Sequence, residues 1–423
     1  MPDSIPEATP FLRLGGREWQ WPVAIRALRH HNYRLFWGGQ LISLIGTWMQ
    51  RTAQQWLVYR LTGSSLRLGQ ITFISFLPVL LLSPIAGVLV DRVDKRKLLL
   101  VTQSFFLLQA AALAALTATD QIQFWQIAVL AFCLGIGEAF DMTARQSFVI
   151  EMTGRDDLMN AIALNSSVFN GARIIGPAVA GLLVAQVGEA WAFGFNALSY
   201  VAVIIALAAM RLGPGRAAGG ADGNALQQLR AGLSYTFRHP AIRGLIGMVA
   251  VFSFFGMYYV TLIPIYAGQI FRIGPRGLGW MLSAVGTGAL IGALSLAALG
   301  NFPRKGRLVT VGALAFAAAL LVLSFSTSLP LSLLALAVGG WAQITQLAAS
   351  NTLIQTIVPD DLRGRVMSTY TWMLGGMFPL GALLAGAVAQ RWGAPLTIRM
   401  GALVCGLFAA LVVWRFPAVR SLE

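Results

Sequence analysis

Charge is what this sequence has least of. Of 423 residues only 11% are Asp, Glu, Lys or Arg, against about 25% in ordinary soluble domains. A water-exposed fold of this length needs more ionisable surface than that, so a typical soluble enzyme and a disordered chain are both excluded. Acidic side chains are the scarcer sign, 16 against 31 basic. Cysteine is nearly absent, and Cys133 and Cys405 both lie in apolar runs, which argues against a disulfide framework or a cysteine-based zinc site. His30, His31 and His239 all sit in polar segments, so no histidine metal or catalytic site is expected within the apolar runs. No G-x-x-x-x-G-K-[ST] loop and no G-x-S-x-G elbow occurs. The chain is therefore not expected to be an enzyme or to drive itself with ATP, and no metal or cofactor is expected.

What is abundant is hydrophobic sequence, 57% of the chain. Crossing a hydrocarbon core of about 30 Å takes roughly 20 apolar residues as helix. Twelve stretches qualify: 34–59, 67–90, 97–118, 122–147, 159–186, 190–210, 241–268, 277–299, 308–328, 331–356, 366–390 and 395–415. Segments such as LTGSS, DRVDKRK, GRDDL and PDDLRGR punctuate them. The polar segment 1–33 does not have the form of a cleavable signal peptide. Twelve crossings return both chain ends to one side. Most basic residues fall on that side: only Arg60, Arg67, Arg272, Arg276 and Arg391 lie in opposite loops, and Arg51, Arg145, Arg173 and Arg399 within spans. This bias places both termini in the cytoplasm and accounts for the net charge of +15 without nucleic acid as a partner.

The middle of the chain changes character. Two six-span units, 34–211 and 241–416, flank a Gly-rich linker at 212–240, with tails at 1–33 and 417–423. Within the linker Leu226, Leu229, Leu233 and Phe237 recur at helical spacing beside Arg230 and Arg238. They form either an amphipathic helix on the membrane surface or a plain linker helix. The two units also echo each other at an offset of roughly 205–209 positions. RHHNYR at 29–34 returns as RHPAIR at 238–243, GRDDL at 154–158 as PDDL at 359–362, and GLLVAQVG at 181–188 as GAVAQRWG at 386–393. Parallel repeats around a shared midplane site are a transporter layout.

GVLVDRVDKRK at 87–97 resembles the major facilitator superfamily signature between spans 2 and 3. Gly87, Asp91, Arg92, Lys95 and Arg96 match it; Asp94 replaces a glycine. Gly87 would allow close helix approach, Asp91 would cap a helix, and the basic cluster would hold the loop in the cytoplasm. The resemblance places Asp91 against span 11 as a gate. GARIIGPAVAG at 171–181 is similar to the exporter-associated span-5 motif, with Gly176, Pro177 and Gly181 matching; Gly-Pro there implies a kink and close packing. The runs AFDMTARQSFVIEM and GTWMQRTAQQWLVYRLTGSSLRLG, with Thr143 where proline is common, resemble the enterobactin-exporter-like branch, whose members export drugs or siderophores. The implied fold is an all-α polytopic membrane protein of twelve transmembrane helices in two pseudo-symmetric six-helix bundles.

Within the spans the acids are Glu138 and Asp141, both in span 4. A charge there costs about 2.5–3.5 kcal/mol, so each faces a partner or a cavity. Glu138, Asp141 and Arg145 share one helical face. Asp141 and Arg145 suit a cytoplasmic gate salt bridge, joined by Arg92. Glu138 is the candidate proton-coupling acid. It is expected to pair with Arg173, either reversibly, as a proton-biased switch, or permanently, as a structural pair. Thr47, Gln50, Arg51 and Gln54 share a face of span 1 and, with Asn170, Tyr258, Gln343 and Gln346, are cavity candidates. Arg51 either attracts an anionic cargo group or snorkels to the interface. An apolar cavity with few polar groups suits amphipathic or aromatic cargo.

The expected function is proton-coupled export of small amphipathic or aromatic compounds by alternating access. The alternatives are an importer or lysolipid flippase of the same fold, or a non-transporting receptor or assembly partner. The expected setting is the cytoplasmic membrane of a bacterium, with a small-molecule substrate, the lipid bilayer and protons as partners and a monomer as the working unit.

Overall fold

The computed structural model describes residues 22–90, 92–211, 233–300 and 304–415. A short 3-10 helix, Val23–Arg29, leads into twelve long helical rods. They are α1 (His31–Thr62), α2 (Ser65–Val90), α3 (Lys95–Ala118), α4 (Phe124–Thr153), α5 (Leu158–Val187), α6 (Glu189–Ala209), α7 (Pro240–Ile270), α8 (Gly274–Leu299), α9 (Lys305–Phe325), α10 (Leu329–Ile357), α11 (Asp360–Trp392) and α12 (Ala394–Arg415). Eleven of them, all but α1, are long and apolar enough by composition to cross a membrane. α1 falls short because it carries the polar stripe of Gln40, Ser43, Thr47, Gln50, Arg51 and Gln54.

In lipid every backbone group must be satisfied within its segment, so helices are the economical solution. Local chemistry sets their ends. Gln123 and Gln126 form a reciprocal capping box at the start of α4. Gly63, at φ +58°, closes α1 and donates its N–H to Tyr59 O at 2.7 Å. α7 is continuous but passes through π-helical turns at Phe252–Gly256 and Tyr266–Ile270, on either side of Pro264.

Packing repeats with a step of six helices. α2 packs on α4 and α8 on α10; α3 packs on α6 and α9 on α12; α1 packs on α5 and α6, and α7 on α11 and α12. The two most extensive contacts between the bundles are α5 with α8 and α2 with α11; smaller ones join α1 to α7 and α8, and α2 to α7. A six-helix step exchanges the two most extensive contacts, as a pseudo-twofold relation requires. The face that carries both ends of the described chain is called the terminal face below, and the opposite one the distal face.

Glycines let the bundles meet at the distal face. A Cβ on Gly181 (α5) would lie 3.0 Å from the Cα of Gly279 (α8), and one on Gly386 (α11) 3.0 Å from the Cα of Gly69 (α2). Gly181 and Gly386 open the repeated GLLVAQVG and GAVAQRWG segments, so the repeat marks the two crossings. Gly87 does not show the expected close approach: among the described residues, a Cβ there would meet nothing within 4 Å. Asp91 and most of the proposed linker helix lie outside the described residues; from the latter, 233–238 is helical.

Candidate functional site

A cavity is legible from exposure along single helix faces. On α5, Met159, Ala163 and Ser166 are exposed, Asn170 and Arg173 half-buried, and Pro177 and Gly181 buried. These positions recur every three or four residues and so share one face. On α11 the series Gly364, Ser368, Trp372 and Gly375 is exposed, and Pro379, Ala382 and Gly386 are buried. Both helices therefore line a space that opens at the terminal face and closes distally at their prolines. Ser283 Oγ donates to Ile174 O at 2.7 Å across the α5–α8 contact. Ser64 Oγ donates to Gln390 Oε1 at 2.8 Å across the α2–α11 contact.

Near the closed end of this space lies one ion pair. Arg51 Nη2 of α1 meets Glu138 Oε1 of α4 at 2.5 Å, with 37% of the arginine side chain and 23% of the glutamate exposed. The Arg51 guanidinium stands 5.6 Å from the Trp48 ring centroid and 6.0 Å from that of Phe76. Arg173 reaches the same Trp48 ring at 6.0 Å and has no carboxylate within 4.0 Å among the described residues. Phe76 meets Phe378 edge-on at 5.4 Å between the bundles, and Trp48 meets Phe169 at 5.7 Å. The result is an aromatic lining with two guanidiniums and one carboxylate, suited to polarisable rings and partial charges.

The expected Glu138–Arg173 pair is not what the structure holds; Arg51 takes that place because α1, not α5, presents its guanidinium to α4. Asp141 and Arg145 do pair, at 2.5 Å. Asp141 also accepts from Thr102 Oγ1 and Gln103 Nε2, each at 2.8 Å, and Arg145 donates to Gln40. That network ties α1, α3 and α4 inside the first bundle and does not bridge to the second, contrary to a gate between bundles. Arg92 is exposed and has no carboxylate within 4.0 Å among the described residues. Lys95 pairs with Glu151, and Arg96 donates to the carbonyls of Leu207 and Ala208 at 2.8 Å, closing the end of α6. Asp94 caps α3 by accepting from Lys97 N at 3.1 Å, the role the sequence suggested for Asp91. Gly176 packs α5 on α1, since a Cβ would sit 2.5 Å from Trp48 Cβ.

Several cavity candidates turn away. Gln50 donates to Gln109 at 3.0 Å and accepts from Asn196 at 2.7 Å, and Thr47 lies 3.3 Å from Tyr200. All of these are inside the first bundle. Tyr258 donates to Thr397 O at 2.7 Å on α12. Gln346 donates weakly to Ser350 at 3.4 Å, and Gln343 Oε1 is buried without a hydrogen-bond partner. Gln54 is buried. Among the candidates Thr47, Arg51 and Asn170 keep exposed surface, and the rest are buried. Sequence reasoning missed Trp48, Phe76 and Phe378; the signal available was Trp48 one turn from Arg51 on the polar stripe.

At the terminal face a second cluster fixes the segment before α1. The carboxylate of Asp157, fully buried between α4 and α5, meets Arg26 Nε at 2.5 Å, Arg29 Nε at 2.9 Å and His30 Nε2 at 2.8 Å. Burial pushes its pKa up, but hydrogen bonds from His30 and Arg26 and the charges of Arg29 and Arg26 outweigh burial and hold it below its ordinary value.

The profile of the family described as transmembrane secretion effector matches residues 23–423. The multidrug efflux pump Tap of Mycolicibacterium fortuitum is 30% identical over 380 residues, covering 87% of this chain and 91% of that protein. The staphyloferrin A transporter of Staphylococcus aureus is 25% identical over 364 residues, 85% of this chain and 90% of that protein. A solved bacterial homologue of the human lysosomal transporter Spinster, inward-facing and occupied, superposes with a TM-score of 0.73 at 13% identity, over 92% of this chain and 97% of that one. The last likeness concerns the fold alone.

Proposed function

The chain belongs to the transmembrane secretion effector family within the major facilitator superfamily, and from that premise we propose that it exports small amphipathic or aromatic compounds using the proton gradient. Membrane transport is the family's work; direction, cargo and coupling are the proposed part. The similarity to Tap, an efflux pump by name, supports export. The aromatic lining of Trp48, Phe76 and Phe378 supports the cargo class. The bias of basic residues supports a cytoplasmic terminal face in a bacterial inner membrane.

One observation carries the coupling: Glu138 is an acid within a span that is ion-paired and still reachable from the cavity. The other intramembrane acid, Asp141, is 5% exposed and enclosed by Thr102, Gln103 and Arg145. Cargo enters from the terminal face while Glu138 is ionised and held by Arg51. The bundles rock about the α2–α11 and α5–α8 contacts, and the cavity opens distally. A proton arriving there neutralises Glu138 and frees Arg51, which removes the pair's contribution to one of the two states. Return to the terminal side delivers the proton and restores the pair. The working unit is a monomer, since one chain contains both bundles.

The test uses purified protein in vesicles with an imposed pH gradient and a fluorescent amphiphile. Glu138→Gln should reduce gradient-driven transport to the level of empty vesicles while cargo affinity stays within about threefold, because the amide keeps the shape and loses the titration. Gradient-driven transport at the native rate by that variant removes Glu138 from the mechanism.

A further inference from the structure

The outer surface of the first bundle holds a groove that transport through the centre does not use. It lies between α3 and α6 and has a volume of about 610 Å³. Small residues form it, among them Ala111, Ala115 and Ala118 on α3 and Ala190, Gly194 and Ala197 on α6. The main packing partners of α3 are α4 and α6, and those of α6 are α1, α3 and α5. None belongs to the second bundle, so the groove faces lipid. Its far end is marked by Leu107 and Val201. From Leu107 to Ala118 the helix rises about 16 Å. One leaflet of a bilayer core measures about 15 Å. The groove therefore runs from the distal face to the midplane, the depth of one acyl chain.

A polar recess of about 310 Å³ continues the groove at the distal face, sharing Ala118, Ala190 and Trp191 with it. Its walls include Arg60, Asp120 and Glu189. Arg60 holds Glu189 through Nε at 2.7 Å and Nη2 at 3.2 Å, yet 47% of its side chain remains exposed. The guanidinium has five N–H donors, so donors remain for a phosphate. Asp120 is exposed and has no basic partner within 4.0 Å among the described residues. One cation and two carboxylates give the recess a charge of −1, which disfavours a purely anionic headgroup. A group with a phosphate for Arg60 and an ammonium for Asp120 complements it.

We propose that this groove is a specific site for a zwitterionic aminophospholipid of the distal leaflet, with one acyl chain along α3 and α6 and the headgroup in the recess. Gly194 is the place to test it: a Cβ there would meet nothing within 4 Å, so a larger side chain enters the groove and not the core. The protein is purified in mild detergent and its retained lipid identified by native mass spectrometry. It is then stripped and titrated with phosphatidylethanolamine or phosphatidylglycerol while thermal unfolding is followed. The expected result is about one retained phosphatidylethanolamine per chain and a rise in Tm with that lipid only. Gly194→Leu should lose both the retained lipid and the rise, with its lipid-free Tm unchanged. Asp120→Asn should narrow the preference over phosphatidylglycerol by about fivefold, the worth of one exposed ion pair. Equal retention of the two lipids overturns the proposal, as does retention of phosphatidylethanolamine by Gly194→Leu. A dimer that Gly194→Leu dissociates, with no change in lipid, assigns the groove to a second copy instead and overturns it equally. None of these readouts depends on transport, so they stand apart from the fate of the coupling test.

Discussion

Two carboxylates illustrate how position sets the role of an acid. Glu138 pairs with one arginine and keeps 23% of its side chain exposed; its amide variant tests the proposed coupling. Asp157 is buried at the start of α5 beneath three half-exposed basic groups. Because its pKa is lower folded than the unfolded value of about 3.9, the unfolded chain binds the proton more readily. The stabilisation is whole above about pH 4 and fades as pH falls through the depressed folded value. Asp157→Asn should cost about 1–3 kcal/mol at pH 7, counting charge-assisted hydrogen bonds to half-exposed partners. Thermal unfolding of the two proteins should converge on acidification toward pH 3. A gap that stays constant with pH would show that the carboxylate's charge contributes nothing.

At the scale of the element, glycine decides which helices touch. α5 meets α8 at Gly181 and Gly279, and α2 meets α11 at Gly69 and Gly386, with backbone where side chains would otherwise stand. Gly181→Val should push α5 from α8 at the distal end. Overpacking costs about 1–3 kcal/mol, here charged to the distally closed state alone. The population should move toward a distally open form by roughly 5- to 150-fold. Spin-label distances across the distal face read this directly, and an unchanged distance distribution would refute it. Gly87 illustrates the opposite case: its place in a signature loop suggests close approach, yet among the described residues nothing lies within 4 Å of a Cβ built there.

The whole molecule is two bundles whose two main crossings a six-helix step exchanges. Closing the distal side should stop the cycle without touching the cavity. Ser64→Cys with Gln390→Cys places thiols at a native hydrogen bond between the bundles. A short bifunctional thiol reagent should block transport by at least tenfold, and its reduction should restore it. Of the native cysteines Cys405 is buried and Cys133 half-buried, so a cysteine-free background is a small change. Continued transport after complete cross-linking would show that the distal contact need not open. The same arrangement explains why the cavity tapers as it does, since the glycine-to-glycine approaches at Gly181 and Gly386 lie beyond Pro177 and Pro379 on the faces that line it.

The sequence by itself determined the long helical rods, the two-bundle repeat and the family. Hydrophobic length, turn signals and repeated segments are local properties, and the bilayer imposes helix on any stretch long and apolar enough. It also determined that Asp141 and Arg145 would meet, because four residues on a helix are neighbours whatever surrounds them. Only the tertiary structure decided which arginine Glu138 would hold and which polar residues would face the cavity. Thr47, Gln50, Tyr258 and Gln346 carry the same polarity as Arg51 and Asn170. Whether each points to the cavity or to a neighbouring helix depends on the rotation of its helix. That rotation is set by contacts hundreds of residues apart, such as Gly69 against Gly386, and leaves no trace in local periodicity.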